Sequence, residues 1–335
     1  MRIDVHTHII SSELPDFSKK FNEPGWPVFQ PTCSCGAKIM VDGKVFREIT
    51  ENTWDISKRV EDMKRTGVDK QVLSPIPVTF SYWANPQHAM EMSRFQNEHI
   101  ASVVKQDPDH FLGFGTIPLQ DVDAAINEMD YCIHTLGLHG LEIGSNVNGK
   151  NLDDPSFYPF FEMAEKWNVP LFIHPWQILG RERLQAYNSL YTVGMPGETA
   201  LAGASLIFSG IMEKLPNLKV LLAHGGGSLP YILPRMDHGW ENWTHLQELI
   251  SQPPSHYAKK FYYDSLVFDP VNLKYLIDKF GDQRIMLGTD YPFKMAEIPA
   301  GRILQESFHL TEEQKNRIFG LNAMEFLGLK TIQPK

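Results

Sequence analysis

Cysteine is scarce in this chain, positive charge is in deficit, and no apolar stretch is long. Only Cys33, Cys35 and Cys132 occur among 335 residues, so a disulfide framework is excluded as the source of stability, and a core of this size needs none. Cys33-Ser34-Cys35 could be half of a zinc site, but no second cysteine pair exists to complete it. The two are read as free thiols in a loop or edge hairpin. No apolar run approaches the ~18 residues of a membrane-spanning helix, and no basic segment leads into an apolar leader. A reduced cytoplasmic compartment is therefore expected. Asp and Glu outnumber Lys and Arg by 40 to 31, a net charge of −9. That argues against nucleic acid and anionic membranes as partners. It leaves an anionic small substrate open, because a pocket's potential is set locally. No GxGxxG follows the first strand, which removes the usual sign of a dinucleotide fold.

What is present begins at once. Arg2-Ile3-Asp4-Val5-His6-Thr7-His8-Ile9 is a short apolar run carrying His-x-His. In a strand, residues two apart face the same way, about 6–7 Å along the chain. His6 and His8 therefore present both imidazoles on one side, where they can share a divalent metal. Alone, the pair reads more readily as two ordinary polar residues on a half-exposed strand.

The rest of the chain alternates in type. Residues 10–53 hold four prolines and short alternating runs on either side of Asp42-Gly43, a strong two-residue hairpin signal. They read as an inserted β-rich lid, too small to be a domain. From Trp54 onward, helix-period and strand-period segments follow each other. Helices are predicted over 55–66, 86–105, 121–136, 156–167, 198–214, 229–241, 270–280 and 311–328. Buried strands are predicted over 68–77, 111–118, 138–144, 169–174, 218–223, 261–267 and 284–288. With the opening strand this makes eight, and parallel alternation favours one (β/α)8 TIM-type barrel over residues 1–335, with a β-hairpin insertion after strand one.

A barrel gathers its chemistry where strands end. Strand one ends at His6-Thr7-His8, strand five at His174, strand six at His224-Gly225-Gly226-Gly227, and strand eight at Asp290. A lone histidine at a strand end is more often structural. Four such ends carrying metal-competent groups point to a metal site. The other nine histidines lack this placement and are read as surface or capping residues; His238, three residues beyond Arg235, is the one to watch.

The set His6-x-His8, His174, His224 and Asp290 resembles the amidohydrolase superfamily. The likeness extends to its 2-amino-3-carboxymuconate-6-semialdehyde decarboxylase family. It is carried by Asp42-Gly43-Lys44-Val45-Phe46-Arg47, Phe80-Ser81-Tyr82-Trp83-Ala84, His174-Pro175-Trp176, Met195-Pro196-x-Glu198-Thr199, His224-Gly225-Gly226-Gly227 and Leu287-Gly288-x-Asp290-Tyr291-Pro292-Phe293, and spans the whole chain. The resemblance implies a zinc-dependent, non-oxidative decarboxylase of aromatic catabolism. One Zn2+ per subunit would be held by His6, His8, His174 and Asp290. His224 would act as general base on the metal-held water, and the resulting hydroxide would add to the alkene carbon that loses carbon dioxide. Asp290 would relay a proton. Strand four reads Gly140-Leu141-Glu142-Ile143-Gly144, with no lysine to carbamylate, so a single metal is expected; Glu142 could otherwise bridge two.

The substrate side follows from the same resemblance. Arg47, in the inserted hairpin, and Arg235, eleven residues past His224, would hold the carboxylates of a small dicarboxylate semialdehyde through bidentate forks. Arg235 would do so in the neighbouring subunit's site, which makes a homodimer obligatory. Trp176, Tyr187, Tyr191, Phe80 and Phe293 are expected to wall the pocket. Departures cluster on this side. Gln177-Ile178 replace Asp-Met, Tyr187 and Tyr191 replace tryptophans, Asn188-Ser189-Leu190 replace a Leu-Pro stretch, and Lys294 stands where the family has an uncharged residue. They leave open the 2-hydroxy analogue of the substrate. A metal-dependent hydrolase such as a lactonase is the rival on the same barrel. A purely structural zinc site is disfavoured, since such sites are closed by four protein ligands and seldom have a spare histidine beside them.

Overall fold

The strands form where the apolar runs are. In the computed structural model, which describes residues 1–329, eight strands pair in chain order: β1 (Ile3–Ile9), β2 (Lys70–Pro75), β3 (Phe111–Gly115), β4 (Gly140–Gly144), β5 (Leu171–His174), β6 (Val220–Leu222), β7 (Tyr262–Asp264) and β8 (Ile285–Met286). Every pairing between neighbours is parallel. The last strand returns to the first. Val5 donates to the Leu287 carbonyl at 2.9 Å, Asp290 to that of His6 at 2.9 Å and His8 to that of Tyr291 at 2.8 Å. The expected (β/α)8 barrel is the fold.

Eight helices alternate with the strands: α1 (Ile56–Thr66), α2 (Pro86–Gln106), α3 (Val122–Asp130), α4 (Tyr158–Lys166), α5 (Met195–Phe208), α6 (Leu229–Asn242), α7 (Pro270–Phe280) and α8 (Asn322–Leu327). Their apolar stripes meet the outward strand faces in one layer, where Leu73, Ile143, Ile173 and Leu222 pack against Met63, Ile100, Met129, Phe161, Leu206 and Leu273. Each such burial contributes about 1.5–3 kcal/mol. Asp55 caps α1 by accepting from Lys58 N, and Gly67 ends it in the left-handed conformation.

Boundaries differ from expectation where local geometry intervenes. The helix predicted over 198–214 starts at Met195 and breaks after Phe208, because Gly210 adopts a φ of 74° before a short second helix. The helix predicted over 121–136 ends at Asp130 and continues as one wide turn through Thr135. The inserted segment carries three antiparallel strands, Val28–Cys33, Gly36–Val41 and Lys44–Thr50. The first has no clear strand signal in the sequence because Pro31 interrupts it, which an edge strand tolerates. Asp42 and Gly43 both take positive φ, the geometry of the tight turn their pairing signals. None of the described helices is long and apolar enough to cross a membrane.

One buried carboxylate gives the fold a pH dependence. Glu297 is 4 % exposed. Burial pushes its carboxyl up to about 7, with Arg302 and the N–H groups of Gly301 to Ile303 offsetting only part. The folded chain therefore keeps a proton that the unfolded chain releases near its ordinary value. Stability present below that value is lost as pH rises through about 7, an effect on the order of 3 kcal/mol. Glu297→Gln is expected to flatten the melting temperature between pH 5 and 8 and to raise it at the upper end. Parallel wild-type and variant profiles would count against this.

Candidate active site

The site lies at the C-terminal ends of the strands. Asp4, His6 and His8 alternate along β1 and share one face of the strand. The pairing of β1 with β2 slips between Asp4 and Thr7, a bulge that re-aims the imidazoles. Gly288, just past β8, is required here. A Cβ on it would lie 2.7 Å from Asp264 Cβ and 2.9 Å from His6 Cβ.

Three imidazoles and a carboxylate converge. One ligand-type atom from each of His6, His8, His174 and Asp290 lies within 4.8 Å of all the others, and all four residues are buried. In each imidazole, Nδ1 already has a partner: Asp264 Oδ2 at 2.7 Å for His6, the Pro75 carbonyl at 2.9 Å for His8, and the Pro175 carbonyl at 3.1 Å for His174. The proton therefore sits on Nδ1. Each Nε2 is buried with no hydrogen-bond partner, and its lone pair faces the common centre. Asp290 Oδ1 stands 3.2 Å from His8 Nε2 and 3.5 Å from His6 Nε2. Three unpartnered buried lone pairs and an anion are costly unless a cation completes them. The donor set, nitrogen and carboxylate oxygen without thiolate, suits a divalent ion such as zinc with an open position. This is a metal-binding site.

The electrostatics agree. Burial pulls His8 down, and His174 well down, from the ordinary imidazole value. His6 is also pulled down by burial, but the Asp264 carboxylate on Nδ1 and the charges of Asp290 and Asp4 hold it above that value. Asp290 resists its burial and is brought down to about 2 by His8 and His6. His224 stands outside the four-residue set, its ring 5.2 Å from that of His6 and 5.3 Å from that of His174. Burial pushes it down to about 4, with His6 adding to the effect, so its imidazole is neutral near pH 7. Its φ of 57° and that of Asp290, 62°, are left-handed. A non-glycine residue there costs about 1–2 kcal/mol. Both are pinned through their N–H groups, His224 to Asp264 Oδ2 at 2.8 Å and Asp290 to the His6 carbonyl at 2.9 Å.

Several supporting residues went unread in the sequence. Asp264, at the end of β7, accepts from His6 Nδ1 and His224 N through one oxygen and from Gly225 N and Leu266 N through the other. A polar residue closing an apolar strand, the signal that marked His224, could have found it. Asp4 accepts from Thr289 Oγ1 at 2.6 Å. Arg59, fully buried in α1, donates to the His8 carbonyl and to Gln71 Oε1 at 3.0 Å, with Tyr291 stacked 4.9 Å away. Glu142 is fully buried and lacks a hydrogen-bond partner. Burial, then the Asp290 charge, pushes its carboxyl well above the ordinary range, and it lies outside the ligand set.

On the substrate side the structure brings some expected residues together and separates others. Three cavities meet at Asp290, of about 490, 370 and 30 Å3. Arg47, Trp176, Tyr191 and Phe293 line them. The Phe293 ring lies between His8, 5.2 Å away, and the Arg47 guanidinium, 3.9 Å away. Ser145 and Asn146 hold Trp176 by its backbone, and the buried Glu198 ties both to Leu179 N. Phe80, expected to wall the pocket, is fully buried with its ring 6.3 Å from that of Trp176, and it is not among the residues lining these three cavities. Tyr187 takes a positive φ and is 95 % exposed in the single chain, outside the lining of these three cavities. Arg235 lies exposed on α6 and is not among the residues lining the three cavities at Asp290. His238 is exposed beside Asn242.

Fold and site together define a metal-dependent barrel enzyme. The amidohydrolase family matches residues 3–329, and the chain belongs to it. It is 46% identical over 330 residues to the 2-amino-3-carboxymuconate-6-semialdehyde decarboxylase of Dictyostelium discoideum, covering 98% of this chain and 92% of that one. It is 32% identical to the enzyme of that name in Caenorhabditis elegans, covering 98% and 94%. The 5-carboxyvanillate decarboxylase of Sphingomonas paucimobilis shares the fold, with a TM-score of 0.84 at 23% identity over 98% of this chain and 99% of that one.

Proposed function

We propose that this chain is a zinc-dependent non-oxidative decarboxylase of 2-amino-3-carboxymuconate 6-semialdehyde. The observation that carries the reading is the set of three imidazoles, each with Nδ1 occupied and Nε2 free, facing Asp290 beside a neutral fourth imidazole. The 46% identity to a decarboxylase of that substrate supports its choice.

When bound, zinc supplies Lewis acidity, lowering the pKa of a ligand water and polarising the substrate. His6, His8, His174 and Asp290 would hold it. The chain's own groups do the rest. Arg47 presents a planar fork to a substrate carboxylate, fixed in place by stacking on Phe293. Trp176 and Phe293 exclude water from the floor of the pocket. His224, kept neutral by burial, takes up a proton there and returns it to the substrate carbon skeleton as carbon dioxide leaves. Net, one carboxylate is exchanged for hydrogen.

The active form is a homodimer. Tyr231, 81 % exposed, and Arg235 stand one turn apart on α6, and Phe268 and Tyr275 rim the same 490 Å3 cavity. Such an apolar rim suits coverage by a second copy, which would bring Arg235 to the neighbouring site.

The test uses enzymatically made amino- and 2-hydroxy-carboxymuconate semialdehydes, with near-ultraviolet absorbance and released carbon dioxide followed together. The metal-loaded chain is expected to consume the amino substrate with one carbon dioxide per turnover, and chelated protein to do neither. Absorbance lost without carbon dioxide would make it a hydrolase; preference for the hydroxy compound would reassign the substrate.

A further inference from the structure

The 370 Å3 cavity on the lid side of Asp290 holds two cations, and the reading above uses only one. Arg47 and Lys294 both line it, with Asn188, Tyr191, Phe293 and Asp290. They arrive from different elements, Arg47 from the lid strand Lys44–Thr50 and Lys294 from the loop after β8. Neither has a carboxylate partner among the described residues. Glu48, which lines the same cavity as Asp290, lies 3.9 Å from Lys38 Nζ. Exposed lysines without a carboxylate partner occur elsewhere among the described residues, Lys64 and Lys105 for instance, so what sets Lys294 apart is the cavity it shares with Arg47. Two unpaired like charges facing one cavity repel each other, a cost that an anion bound between them reverses.

The position of Lys294 gives that anion a geometry. It follows Phe293, whose ring carries the Arg47 guanidinium at 3.9 Å on one side and stacks with the metal-site His8 at 5.2 Å on the other. One short segment, Asp290 to Lys294, therefore presents a metal-site carboxylate, an aromatic wall and a point charge to the same space. We infer that Lys294 is a carboxylate-binding residue which, with Arg47, selects a dicarboxylate within a single chain. A planar fork fixes one carboxylate in orientation, and a flexible ammonium accepts the second over a range of positions. This deepens the proposed function and rests on it for the substrate class. It differs in where the second cation comes from: Lys294 lines the cavity of its own chain, whereas Arg235 must come from another copy.

The experiment measures binding without turnover, so a failed decarboxylation assay and a failed inference are separable. Metal-loaded full-length chain is titrated calorimetrically with benzene-1,3-dicarboxylate and with benzoate, as wild type, Lys294→Met, Lys294→Arg and Arg235→Met. Wild type is expected to prefer the dicarboxylate. Lys294→Met should weaken the dicarboxylate about fivefold or more while leaving benzoate unchanged, as for loss of one partly exposed charged hydrogen bond. Lys294→Arg should restore the preference, and raising salt should erode it in wild type but not in Lys294→Met. The inference is overturned if wild type shows no preference, if Lys294→Met weakens both ligands equally or neither, or if Arg235→Met alone removes the preference. Melting temperatures of all four proteins, expected to agree, separate lost binding from lost fold.

Discussion

Replacing His224 with alanine is expected to lower kcat by about 10^3-fold while leaving one metal bound per chain. The expectation follows from where the ring stands. It is within 5.3 Å of the His6 and His174 rings, ring centre to ring centre, yet outside the set of four groups that close on one point. Its neutrality, from a pKa pushed down to about 4 by burial and then by His6, gives it the lone pair that a general base requires. The left-handed backbone at His224 also matters, since alanine there keeps some of the same strain. His224→Asn tolerates that φ better and separates lost chemistry from lost conformation. Metal content by atomic emission, read beside kcat, decides the matter. Loss of metal together with activity would make His224 a ligand.

The second large effect is expected at a residue that touches neither metal nor substrate. In Asp264→Asn, the amide nitrogen that replaces Oδ2 would face both His6 Nδ1 and the His224 N–H, each at under 3 Å from the native oxygen. To accept from that nitrogen, His6 must give up its Nδ1 proton and carry it on Nε2, the atom that faces the metal. Metal affinity should fall about 10–100-fold, the usual consequence of removing an outer partner of a ligating histidine. Asp264→Ala should lose as much affinity and also stability. It leaves the N–H groups of Gly225 and Leu266 without their acceptor, at about 1–3 kcal/mol for each buried group left unpaired. Competition with a chromogenic chelator measures the first quantity and thermal unfolding the second. Equal metal affinity in wild type and Asp264→Asn would show that His6 is oriented by something else.

Both variants probe a layer that linear reading does not reach. His6 and His8 could be singled out because a strand puts residues two apart on one face. His174, His224 and Asp290 could be singled out because each closes an apolar run. These are local regularities, with periods of two and 3.6 residues, and they survive in a sequence without any partner. The same regularities marked the eight strand–helix alternations. They failed at Gly210, where one backbone angle overrode the pattern, at Pro31, where a proline did, and at Tyr131–Thr135, where a helix widens into another turn.

What the sequence by itself determined, then, is the barrel, the ends of its strands and the donor atoms available there. What only the tertiary structure decided is which groups meet and which way each one points. The partner of His6 lies 258 residues away in Asp264, that of Asp4 lies 285 away in Thr289, and the arginine behind His8 comes from a helix 51 residues on. Phe80 faces the core and Tyr187 the solvent for the same reason. An aromatic side chain's residue type sets its appetite for burial, but its direction follows from the backbone that carries it and the space its neighbours leave. Proton placement on each imidazole is likewise a property of that assembled surrounding, and it is the Nδ1 partners brought by closure of the barrel that leave three lone pairs aimed at one point.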